Sequence, residues 1–307
     1  MMKRVSVLAS TCLWFFLSAV PAEAQTLFPT PHTFYNDVAY VTGGTSRQVM
    51  DIYSPTGASG PLPVVIYVHG GGWNTGNAEP SIDLWRGLGQ GSFAIAAVNY
   101  RLNSVIEPLA TQVDDIRAAI RFIKANASTY NIDATRVGLM GQSAGAHLSG
   151  MAALTSDIAR LGSESDLANT QNLSQSTQVQ AVVNWAVPPI PPSGNSTLSL
   201  ATYISTGDPA FRMFHSTTDE TVNISFARNF RDSMVSAGVG ANLTEITGGH
   251  FPSDETRATY SPTIVSYFDA QFAAVPEPST PFITSSVVLW LGMRRLTHRT
   301  AASTTRS

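Results

Sequence analysis

The chain has a single cysteine in 307 residues, Cys12. It lies inside an apolar run near the start, too early in that run to be a lipidation site. A chain that begins beyond the run has no thiol at all, which excludes disulfide staples. Such a protein must be held by its apolar core, and about 250 residues can supply one. Charge is also scarce: 13% of residues are Asp, Glu, Lys or Arg, and the formal net charge is −3. There is no basic stripe of the kind that tracks nucleic acid and no acidic block of the kind that keeps a tail solvated. Internal repeats are missing, and so is any cluster of metal-ligand residues. What is present is 43% hydrophobic residues with all three aromatic types, the composition of a globular chain.

Both ends stand apart from this globular part. Met1-Met2-Lys3-Arg4 is followed by apolar residues from Val5 to Val20 and then by Pro21-Ala22-Glu23-Ala24-Gln25. A basic start, a short apolar segment and an Ala-x-Ala site describe a secretory signal peptide over residues 1–24, cleaved after Ala24. The competing reading is a buried N-terminal helix. At the other end, residues 275–307 hold Val275-Pro276-Glu277-Pro278, an apolar stretch from Phe282 to Met293, and Arg294-Arg295. This stretch is short for a membrane span, which needs about 20 apolar residues, and Thr284, Ser285 and Ser286 interrupt it.

Residues 25–274 alternate strand and helix patterns. Strands are expected at 48–53, 63–69, 93–99, 136–140, 179–187, 211–215 and 242–247, the second and third apolar enough to be buried on both faces. Helices are expected at 109–126, 144–154, 225–237 and 255–272. In the first of these, Val113, Ile116, Ile120 and Ile123 recur at spacings of three and four. Strands alternating with helices imply one domain: a mostly parallel sheet with helices on both faces.

Two motifs carry chemistry. Gly141-Gln142-Ser143-Ala144-Gly145 lies between an expected strand and an expected helix. A strand-to-helix turn this tight needs glycine on both sides, and it leaves the serine hydroxyl exposed at the positive end of a helix. His69-Gly70-Gly71-Gly72-Trp73 follows directly on the strand at 63–69. Acyl transfer develops a negative oxygen, and backbone N–H groups of a glycine loop can point at it unhindered. Gly71, Gly72 and Ala144 are the expected donors of such an oxyanion hole.

A serine nucleophile needs a base and an acid. Of the six histidines, His298 is in the tail, His32 precedes the first expected strand, His69 braces the glycine loop, His147 packs on the helix after Ser143, and His215 ends a strand. His250, in a loop between the last strand and the last helix, is left as the base. Asp219, four residues beyond the strand at 211–215, is the candidate acid, with Glu220 and Asp208 as alternatives. In this scheme His250 takes the Ser143 proton and returns it to the leaving group, and Asp219 fixes the imidazole tautomer. The scheme calls for neither metal nor cofactor. Asp114, Asp115, Arg117 and Arg101 read as charges pairing around a helix rather than as a site. Trp73 could stack on a substrate ring or cap the core, and Pro188, Pro189, Pro191 and Pro192 suggest a rim over the site.

Together with Asn99-Tyr100-Arg101-Leu102, Gln112 to Ile120 and Tyr130-Asn131-Ile132-Asp133, these motifs resemble the α/β-hydrolase superfamily. Within it they are similar to esterases and lipases of the BD-FAE and hormone-sensitive-lipase-like branches. The resemblance runs from about residue 33 to 272 and implies the α/β-hydrolase fold with little or no cap. It also implies a carboxylesterase, with acetyl or feruloyl esters of polysaccharides among the substrates it suggests. Ala146 and Ser216 depart from glycines common in the family. A related peptidase, or an inactive binding protein that keeps the fold, are the competing readings. Residues 275–307 resemble a PEP-CTERM sorting signal of Gram-negative bacteria. This implies export to the cell surface or beyond, handling by exosortase-type machinery, and only transient membrane contact.

Overall fold

The computed structural model describes residues 31–78, 88, 93–102, 109–188 and 196–275. The chain divides into two compact units, one through Ala273 and one from Ala274 onward. Of the second unit only Ala274 and Val275 are described, so the signal-peptide and sorting-tail readings fall outside the described residues.

The first unit is built on one eight-stranded sheet. Among the described residues its strands and longer helices are, in chain order, β1 (His32–Ala39), β2 (Val49–Pro55), β3 (Leu62–Val68), β4 (Ala94–Val98), α1 (Leu109–Ala125), β5 (Ile132–Gln142), α2 (Ala144–Leu154), β6 (Ala181–Trp185), β7 (Ala210–Ser216), α3 (Ser225–Ser236), β8 (Ala241–Ile246) and α4 (Asp254–Ala273). The strand order is β1-β2-β4-β3-β5-β6-β7-β8. β1 and β2 run antiparallel to their neighbours, and every other pairing is parallel. This is the α/β-hydrolase fold.

Two expectations need correction. His32 does not precede the first strand; it begins β1, an edge strand of partly exposed residues whose weak apolar alternation hides it in the sequence. The strand expected at 136–140 runs from Ile132 to Gln142, because its polar first half still pairs with β3 at Leu62.

The sheet separates two cores. On β3, Val64, Ile66 and Val68 face one side, where Val113, Ile116, Ile120 and Ile123 of α1 and Leu148 of α2 cover them. Val65 and Tyr67 face the other side, toward Phe93 and the Phe268 and Phe272 rings of α4. The four apolar α1 positions are all fully buried, each worth about 1.5–3 kcal/mol of transfer free energy. Arg101 grips Asp115 through two nitrogens and also reaches Asp166 at 2.7 Å, while Arg117 pairs with Asp114. These charges therefore hold loops against α1, as a structural role requires.

Parallel register is what assembles the site. Val68 pairs with Gly141, Gln142 with Trp185, Trp185 with Phe214, and Ser216 with Ile246. The carboxyl ends of β3, β5, β6, β7 and β8 thus finish level with one another, and the loops beyond them meet on one rim. Open parallel sheets bind their ligands at this edge.

Candidate active site

Ser143 occupies the turn between β5 and α2 with φ 54° and ψ −121°. A non-glycine residue in this region carries about 1–3 kcal/mol of strain, held in place by the packing around it. The surroundings explain how. The Ser143 N–H donates to the Trp185 carbonyl at 2.9 Å, and its carbonyl accepts from His147 N–H at 3.1 Å. A methyl group at Gly145 would run into the carbonyl oxygens of Val68 and His69, and one at Gly141 would strike the Gly145 carbonyl. The elbow can be this tight only with glycine at both places.

His250 lies between β8 and α4. Its Nε2 is 2.9 Å from Ser143 Oγ, and its Nδ1 is 2.8 Å from Asp219 Oδ2. With the proton on Nδ1 the ring donates to Asp219 and accepts the Ser143 hydroxyl. Asp219 follows β7 by three residues. Its Oδ1 accepts from the N–H groups of Thr221 and Val222 at 2.8 and 2.9 Å, which aims the other oxygen at the imidazole. Burial works to raise the Asp219 pKa. The bonds from Val222, His250 and Thr221 outweigh it and hold the carboxylate below its ordinary range. The alternatives fall elsewhere: Asp208 accepts from the Ser205 amide and hydroxyl, and Glu220 is exposed.

Three further histidines, His215, His147 and His69, are engaged elsewhere. His215 Nε2 donates to the Val222 carbonyl at 2.8 Å beneath the acid loop. His147 is fully buried and donates to Leu198. His69 donates to the Gly70 carbonyl at 2.7 Å and stacks on Tyr100 at 4.2 Å. Burial lowers the pKa of all three, to about 4 for His69 and His147, so they are neutral near pH 7.

The glycine loop lies against Ser143: a Cβ on Gly70 would come within 3.3 Å of the Ser143 Cβ. Gly71 and Gly72 have φ of 121° and 58°. The Gly71 carbonyl accepts from the Asn74 and Thr75 N–H groups, which turns the loop back on itself. Among the described residues, the N–H groups of Gly71, Gly72 and Ala144 donate to no protein acceptor. Ala144 is fully buried, Gly71 half-buried and Gly72 exposed. A buried amide such as that of Ala144 is rarely left unpaired without a reason, and a developing oxyanion is one. Trp73 is 6% exposed, with its ring set edge-on to His147 at 5.6 Å, so its ring caps the core. Pro189, Pro191 and Pro192 lie outside the described residues.

Three supporting residues were not singled out from the sequence. Arg47 donates to His69 Nε2, to the Gly76 carbonyl and to the Tyr100 carbonyl, clamping both ends of the glycine loop. The Tyr100 hydroxyl donates to the His69 carbonyl at 2.8 Å. Tyr100 stood within a motif already noted, whereas Arg47 lay in a polar turn with no periodic signal. Ser216, noted only as a departure from glycine, donates through its hydroxyl to Gly248 and so ties the acid loop to the histidine loop.

A family profile described as BD-FAE matches residues 50–189. Among curated proteins, a probable isoprenylcysteine alpha-carbonyl methylesterase of Oryza sativa subsp. japonica is 35% identical over 135 residues, 44% of this chain and 31% of that protein. The carboxylesterase NlhH of Mycobacterium tuberculosis is 37% identical over 109 residues, 35% of this chain and 34% of that protein. The chain thus spans about a third of the length of these relatives. A truncated carbohydrate esterase from gut microbiota superposes with a TM-score of 0.71 at 24% identity, covering 78% of this chain and 96% of that one.

Proposed function

We propose that the chain is a serine carboxylesterase. The observation that carries this is the unbroken line from Ser143 Oγ through His250 to Asp219, set beside the N–H groups of Gly71, Gly72 and Ala144, which have no acceptor among the described residues. Such a line makes the hydroxyl a nucleophile at the moment of attack. Ser143 Oγ attacks the ester carbonyl while His250 Nε2 takes its proton. The negative oxygen that forms is held by Gly71, Gly72 and Ala144. His250 then gives the proton to the leaving alcohol, and an acyl-Ser143 ester remains. Water, deprotonated by the same histidine, releases the acid and restores the serine. Trp73 serves as a prop behind the glycine loop. Similarity to named esterases over part of the chain supports this reaction class.

The closing experiment is hydrolysis of p-nitrophenyl acetate by residues 25–274, with Ser143→Ala as control. The wild type is expected to turn over and the variant to fall by about three orders of magnitude or more. Equal rates would remove the esterase reading.

We further propose that residues 1–24 direct export and that residues 275–307 are a sorting tail read by exosortase-type machinery in a Gram-negative host. Cell-surface delivery suits polysaccharide esters as substrates. Mass spectrometry of the exported protein tests both ends: cleavage after Ala24 and a shortened C-terminus are expected, and an intact chain in the cytoplasm would overturn them.

A further inference from the structure

Phe251 immediately follows His250 and is 64% exposed, level with Leu173 as the most exposed large apolar side chain among the described residues. Its ring meets the His250 ring at 4.8 Å, tilted by 77°. An edge-to-face contact of this kind leaves a phenyl face uncovered. Gly248 and Gly249 precede it, and a Cβ on either would meet nothing within 4 Å. Among the described residues the loop before His250 is therefore exposed and uncrowded, while the His250 side chain itself is only 8% exposed, so Phe251 is the aromatic surface that stands in solvent beside it.

The chemistry fixes which half of an ester lies there. His250 must hand a proton to the leaving oxygen, so that oxygen lies within hydrogen-bond reach, about 3 Å, of Nε2. The carbonyl oxygen points away, to Gly71, Gly72 and Ala144. The alcohol half therefore departs past the imidazole, within a ring's breadth of Phe251. An apolar alcohol would call for an enclosing apolar wall. Among the described residues, the chain on either side of His250 and Phe251 is Gly248, Gly249, the buried Pro252 and the exposed Ser253 and Asp254. One aromatic face in polar, wet surroundings suits a ring that is apolar on its faces and hydroxylated at its rim, as a pyranose is.

We infer that Phe251 is the specificity-determining platform for the alcohol half of the substrate, stacking on a sugar ring whose hydroxyl carries the acyl group. The inference rests on the esterase reading, and it predicts selectivity on the alcohol side rather than the acyl side. The test compares two acetates, acetylated xylobiose and ethyl acetate, with wild type, Phe251→Ala and Phe251→Trp. Phe251→Ala should raise KM and lower kcat/KM for the sugar ester about five- to tenfold, leave ethyl acetate unchanged, and be rescued by Phe251→Trp. An equal loss on both acetates would mean that Phe251 only steadies His250, and no loss on either would remove the platform; both overturn the inference. Calorimetric titration of the Ser143→Ala protein with xylobiose reads the platform without turnover. Binding that weakens when Phe251→Ala is added supports it even if no ester is hydrolysed, and absence of binding overturns it. A wild type inactive on both acetates but binding xylobiose through Phe251 would instead count against the esterase reading alone.

Discussion

At the scale of single residues, Asp219 is where geometry says most. Its two oxygens have separate work: Oδ1 is held by two backbone N–H groups and Oδ2 faces His250 Nδ1. Asp219→Asn keeps the shape and changes the logic. An amide NH2 facing Nδ1 makes that nitrogen the acceptor, so the ring proton moves to Nε2 and Ser143 loses its base. We expect kcat to fall by about three to four orders of magnitude with little loss of thermal stability, measured on p-nitrophenyl acetate and by melting. A loss below tenfold would show that another carboxylate orients the histidine. The choice among Asp219, Glu220 and Asp208 was open in the sequence, because three acids in neighbouring loops look alike in one dimension. The direction of a loop carboxylate depends on how the turn folds back on it, and the N–H groups of Thr221 and Val222 decide that.

At the scale of elements, the strand–turn–helix unit around Ser143 was legible because each of its parts has a local cause. An apolar strand, a glycine pair and a run of small residues all appear within the 23 residues from Ile132 to Leu154. The depth of the crowding was not legible, since the groups that crowd Gly145 come from β3 and the start of the glycine loop, some 75 residues away. Gly145→Ala must push the helix start off Val68 and His69. We expect a cost of about 3 kcal/mol or more, and a Tm lower by roughly 6–12 °C at this size. A variant that melts with the wild type and keeps its activity would mean that β3 and the start of α2 can separate at little cost. β1 escaped notice for the opposite reason. Its residues are held by pairing to β2 and not by burial, so they carry little periodicity.

At the scale of the whole molecule, the buried histidines give the fold an acid limit. His69 and His147 have pKa values lowered by burial to about 4 from an ordinary 6.5. Above pH 6.5 folded and unfolded chains hold these groups alike, both neutral. As pH falls from 6.5 toward 4 the unfolded chain takes up protons that the folded chain refuses. Stability then drops by about 1.4 kcal/mol per pH unit for each histidine. His147→Gln removes one titrating group, and a glutamine can still donate toward the Leu198 carbonyl. Urea unfolding at pH 7.5, 6.0 and 5.0 should show a slope shallower by about one proton than in the wild type. An unchanged slope would show that His147 is protonated in the fold.

The sequence by itself determined the layered α/β architecture, the positions of most strands and helices, the two glycine motifs and the candidates for nucleophile and base. These follow from local causes: periodicity, turn chemistry and the spacing of small residues. Only the tertiary structure decided which acid faces His250, that Ser216 joins the two loops, that Arg47 clamps the glycine loop, and that Phe251 stands exposed beside the imidazole. Those facts rest on parallel register, which brings strand ends far apart in the chain to a common edge. No window of neighbouring residues contains that information.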